Sequence, residues 1–103
     1  GDAAEVAAPE AVGLLDNERV FEDYRRIFHK IVDIADGDSH TFQREALRDA
    51  LTEGEDAPMT PRTFDERFRA LVENRHVLEH VYNSQVCYRI SVDLCFSLLY
   101  LSN

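Results

Sequence analysis

The feature that most constrains this chain is a change of hydrophobic period near residue 76. Before that point apolar residues recur at three- and four-residue spacing; after it they come as two short runs rich in Val, Tyr and Ile. Val20, Tyr24, Ile27, Phe28, Ile31, Ile34 and Ala35 trace one stripe, which predicts an amphipathic helix of about five turns. Asp16 or Asn17 is its expected cap, with Glu18 and Glu22 near the positive end, and Asp36-Gly37-Asp38-Ser39 stops it. A second helix is expected over residues 43–53, with Ala46, Leu47, Ala50 and Leu51 inward. Thr60-Pro61 opens a third over residues 61–74, a hydroxyl cap followed by Pro at the first helical position. Thr63 and Glu66 have capping-box spacing and offer an alternative start. Phe64, Phe68, Leu71 and Val72 form the inner stripe of this third helix.

The two runs after the change, residues 77–81 and 85–90, flank Asn83-Ser84 and predict a tight hairpin. Residues 39–42 are expected either as a short extended segment or as a cap. Residues 91–101 are then interrupted only by Ser91, Asp93 and Ser97, and as a helix they would be apolar nearly all round. Residues 1–15, rich in Ala, Glu and Val with Pro9 and Gly13, read as a flexible tail or linker ahead of one domain over 16–103. Helix, turn, helix and hairpin in this order predict a mostly α fold with a small β-hairpin, a winged helix-turn-helix.

Charge opposes the use to which such a fold is most often put. The chain holds 20 acidic and 11 basic residues, a net charge of −9. Residues 1–58 hold 15 acids and 6 bases, whereas residues 59–103 hold 5 of each. A field of that sign repels phosphate backbones at long range. No apolar run reaches the ~20 residues that span a bilayer, so no membrane partner is expected. The first 13 residues lack the basic and apolar regions expected of a secretory signal, and Gly1 in place of Met leads one to expect a processed or excised chain. Cys87 and Cys95 sit in apolar surroundings and read as small buried hydrophobes, which points to a cytoplasmic, reducing compartment.

Leu71-Val72-Glu73-Asn74-Arg75, then Val77-Leu78-Glu79, then Tyr88-Arg89-Ile90-Ser91-Val92-Asp93-Leu94 resembles the ending of the winged-helix domains appended to bacterial and archaeal AAA+ and STAND-type ATPases. The likeness covers residues 17–101 in architecture and 71–94 in sequence. It implies a regulatory or interaction module, part of or associated with an ATPase or a regulatory or defence assembly. The chain departs from that pattern in its last segment, which carries Phe96, Leu98, Leu99 and Tyr100 where an Arg- and Trp-rich polar face is expected. It also has no G-x-x-x-x-G-K-[ST] run, so the sequence assigns it no nucleotide chemistry.

Four functions compete on these residues. A protein contact or oligomerisation surface ranks first, because the apolar side chains of residues 91–101 exceed what one core covers. Phe96, Leu98, Leu99 and Tyr100 would form it, with Phe21 as a second patch off the main stripe, and a second copy of the chain is a candidate partner. Alternatively, a missing neighbour once covered this face. DNA binding is the alternative function: helix 61–74 would enter the major groove, with Arg62, Arg67, Arg69, Arg75 and Arg89 as its cations. Against it, Asp65, Glu66 and Glu73 share that helix, and the wing tip, Tyr82-Asn83-Ser84-Gln85, offers the phosphates no cation. A zinc site at His76, His80, Cys87 and Cys95 fails on spacing, since four residues along a strand separate two rings by roughly 13 Å. Catalysis ranks last. The carboxylates Glu22, Asp23, Asp33, Asp36 and Asp38 read as a solvated acidic face, and no catalytic residue or cofactor is expected.

Overall fold

The computed structural model describes the backbone of residues 7–91 and the side chains of residues 18–91. Three helices are followed by an antiparallel hairpin: α1, Ala7–Ile34; α2, Arg44–Thr52; α3, Pro61–Glu73; β1, Val77–Tyr82; and β2, Gln85–Ile90. The chain is therefore mostly α with a small β-hairpin. Helix α1 begins at Ala7, well before the expected cap at Asp16 or Asn17. Pro9 falls in its first turn, where a missing N–H breaks no intrahelical bond. At the other end, Asp36 Oδ2 accepts from the Ser39 and Asp38 backbone N–H groups at 2.8 and 2.9 Å, which closes the turn after α1.

Helix α3 starts as its residues dictate. Thr60 caps it, its Oγ1 accepting from the Thr63 N–H at 3.1 Å, and Pro61 takes the first helical position. The Thr63 alternative start is not used. Its end is less expected. Arg75 has φ +64, the Arg75 N–H donates to the Val72 carbonyl at 3.1 Å and the His76 N–H to the Leu71 carbonyl at 2.9 Å. This is a Schellman closure with arginine where glycine is usual. The next turn is similar: Asn83 and Ser84 have φ +52 and +65, the left-handed pair that a two-residue hairpin turn of type I′ requires.

Residues 39–42 resolve to the extended alternative at Phe42, which exchanges two 2.9 Å backbone hydrogen bonds with Tyr88. The bridge ties the segment before α2 to the outer edge of β2. Beneath it lies the core: Ile27, Phe28 and Ile31 of α1, Phe42 itself, Leu47 and Leu51 of α2, Met59 just before α3, Phe64, Phe68 and Leu71 of α3, and Val77 of β1. Phe68 is its hub. Its ring stacks on Phe64 at 5.4 Å and meets Tyr88 edge-on at 5.0 Å and Phe42 at 6.3 Å. Such pairs each add about 1 kcal/mol beyond the area they bury.

The inner face of α2 differs from expectation. Ala46 and Ala50 are exposed; the inward row is Leu47 and Leu51, flanked by half-buried Arg44 and Arg48. Residues 44, 47, 48 and 51 lie three and four apart on one face, so two arginine stems share the stripe with two leucines.

Candidate interaction surface

Those two arginines both reach one carboxylate of α3. Arg44 donates to Asp65 Oδ1 at 2.7 Å, and Arg48 donates to the same oxygen at 2.9 Å. The Arg44 guanidinium also lies over the Phe64 and Phe68 rings at 5.4 and 5.6 Å. Hydrogen bonds from Arg48 and then Arg44 hold the Asp65 carboxyl below the usual carboxylate range. Asp65 therefore locks α2 onto α3. A second lock joins α1 to α3: Arg67 Nε donates to Asp23 Oδ2 at 2.9 Å, with only 21% and 13% of the two side chains exposed. Arg67 is thereby removed from the cations free for a ligand, and Asp23 from the acidic face.

The other candidate cations are scattered. Arg62 is exposed at the start of α3 and lies 3.5 Å from Glu66, one turn on. Arg69 is exposed beside Val72 and Tyr88. Arg75 is exposed at the end of the helix, held by the closure described above. Arg89 is half-buried on β2, and its Nε donates to His80 Nε2 at 3.4 Å. With Glu66 and Glu73 also exposed, this face carries mixed signs.

The hairpin divides sharply along its length. Val77 pairs with Ile90 at its base, where Val77 is buried and Ile90 half-buried. At its tip Val81 pairs with Val86 and Tyr82 with Gln85, and there Val81, Tyr82 and Val86 are 73%, 71% and 42% exposed. These three account for most of the large exposed hydrophobics among the described residues; the remaining one is Val32 of α1 at 61%. Val32 lines an apolar groove of about 380 Å³ between the last turns of α1 and the end of β2.

Phe21, expected off the stripe of α1, is half-buried against the core. It lies seven residues before Phe28, two helical turns, and so shares that face. Phe96, Leu98, Leu99 and Tyr100, together with Cys95, lie outside the described residues. His80 sits opposite Cys87 in the hairpin register, and no group of three metal-ligating side chains comes together among the described residues. No helix among those residues is long and apolar enough to cross a membrane. Sequence reading missed the Arg44–Asp65–Arg48 cluster; the one available signal was Arg44 and Arg48 falling on the leucine stripe of α2. The exposed hairpin tip was legible as a run without cations, but not as an apolar patch.

No family model matches this chain, and no match was found among the curated proteins or the solved structures.

Proposed function

We propose that this domain is a non-enzymatic winged-helix module that makes protein contacts, with a second copy of itself as the partner to test first. The winged-helix reading is supported by the order of α1, the Phe42 bridge, α2, α3 and the hairpin, in which Phe42 takes the place of a short first strand beside β2. One observation carries the functional reading. The tip that should grip a phosphate backbone presents Val81, Tyr82 and Val86 and no cation. An exposed apolar cluster costs solubility and is characteristic of a contact site. Association with an ATPase or a regulatory or defence assembly rests on the resemblance of residues 71–94 alone.

The exposed Arg62, Arg69 and Arg75 favour the second reading, a DNA-binding regulator using helix 61–74 and the hairpin. Salt separates the two by sign. Self-association of a chain with net charge −9 strengthens as salt screens its repulsion, whereas DNA affinity falls as counterion release loses its advantage. Sedimentation of the chain alone, and anisotropy of a labelled 20-bp duplex titrated with it, should both be followed from about 50 mM to about 1 M salt. The protein-contact reading expects a mass that rises with salt and no saturable duplex binding. Saturable binding at low salt that Arg62→Ala and Arg69→Ala weaken would establish the DNA reading instead.

A further inference from the structure

The hairpin has one edge that no described residue pairs. On the outer side of β2, Tyr88 gives both its backbone groups to Phe42. Tyr88 stands opposite Glu79 in the register, so the Glu79 N–H and C=O also point away from the partner strand, and so do those of Val81 two residues on. Among the described residues no backbone hydrogen bond reaches Glu79 or Val81 from outside the hairpin. Strand β1 reads VLEHVY, with no proline and no lysine, the residues that usually blunt a free edge. Beside its base runs a shallow trough of about 370 Å³, in which Val72 of α3 lies alongside Val77 and Leu78.

We infer that β1 of a second copy pairs antiparallel with this edge and joins the two hairpins into one sheet about a two-fold axis. The pairing rests on the protein-contact reading above and gives it a geometry. The strand's own sequence selects the second copy as occupant. With the axis at His80, Glu79 pairs with Val81 of the second copy, Leu78 with its Tyr82, and His80 with its His80. Val81 and Tyr82, exposed to 73% and 71%, then reach the trough of the other copy, where Val72, Val77 and Leu78 offer apolar surface. The exchange is reciprocal: each tip covers the other copy's trough, and the pairs of residues 79 and 81 add about four backbone hydrogen bonds. Neighbouring registers are poorer. A shift of two residues towards the base sets Glu79 against Glu79, a like-charge pair, and a shift of two towards the tip sets polar Ser84 against Leu78. Shifts of one residue oppose outward to inward backbone groups and form no ladder. Two six-residue strands make a small contact, so the dimer is expected to be weak.

Amide hydrogen exchange of the full chain, read residue by residue by NMR, tests it directly. In concentrated protein at about 1 M salt, where charge repulsion is screened, the Glu79 and Val81 amides should be protected at least tenfold more than in dilute low-salt solution. The His80 and Tyr82 amides, already bonded within the hairpin, should change less. Val81→Pro provides a second readout. It removes an outward N–H and no hairpin hydrogen bond, a position at which an edge strand tolerates proline. It should stay monomeric under conditions where Val81→Thr, which keeps the N–H, still dimerises. A wild-type dimer whose Glu79 and Val81 amides exchange as in the monomer would overturn the edge pairing and leave the protein-contact reading standing. So would a folded Val81→Pro chain that dimerises as the wild type does. A wild type that is monomeric at every concentration and salt would overturn both.

Discussion

The base and the tip of one hairpin are built from the same residue types and meet opposite surroundings. At the base, Val77, Tyr88 and Ile90 rest on α1, α3 and Phe42, and their burial is part of what holds the domain together. Four residues on, Val81, Tyr82 and Val86 extend past the core into solvent. Strand propensity alone does not require such a tip; Thr, Lys or Arg would pair as well and be better solvated. The difference separates two demands on one strand pair. The base serves folding, and the tip, on the function proposed above, serves contact.

Substitutions can break or sharpen this division. The largest effect is expected at the support of the base: Phe68→Ala removes the ring that meets Phe64, Phe42 and Tyr88, and should cost roughly 3–5 kcal/mol by urea denaturation. That is a large share of the ~5–15 kcal/mol available to a domain, and much of the variant should be unfolded. Asp23→Ala leaves Arg67 without its partner between α1 and α3, and a loss of about 2 kcal/mol is expected. A loss below about 0.5 kcal/mol would reduce that pair to a surface contact. At the turn, Ser84→Gly removes a Cβ from a left-handed position and should stabilise by about 0.5–1 kcal/mol, visible as a rise in Tm. The smallest change in stability belongs to the tip: Val81→Ser with Tyr82→Ser should alter it by less than about 0.5 kcal/mol per site. A larger loss would mean that the tip serves the fold after all.

Acid provides a further check on the α2–α3 lock. The Asp65 carboxyl is held below its ordinary range, so its contribution is complete above the unfolded pKa of about 4 and fades as pH falls through the lower folded value. Asp65→Asn should therefore be less stable than the wild type at pH 7, and the gap should narrow below about pH 4. A gap that is constant with pH would remove the charge from that explanation.

The helices and the hairpin were legible because each is encoded by neighbours in sequence. The stripes of α1 and α3, the Thr60-Pro61 start and the Asn83-Ser84 turn all depend on residues within a few positions of each other. Contacts across elements were not legible. Arg44 and Asp65 are 21 residues apart, Asp23 and Arg67 are 44 apart, and no periodicity records such pairs. Alanine suits either face of a helix, so its spacing puts Ala46 and Ala50 inward on paper; the arginines that displace them do so by reaching a carboxylate on α3. The early start of α1 was hidden by Pro9 and Gly13, which read as breakers, yet Pro9 is tolerated in a first turn. The missing cations of the hairpin tip were visible in the sequence, but the exposure of its apolar side chains depends on how far the strands outrun the core.

The claim that the tip is a protein contact is tested most directly by light scattering on the wild type and on the Val81→Ser, Tyr82→Ser double variant across the same salt series. The account predicts that the wild-type mass climbs from monomer towards dimer as salt rises to about 1 M, while the variant, equally folded, remains a monomer. Superimposable masses for the two chains at every salt concentration would contradict it.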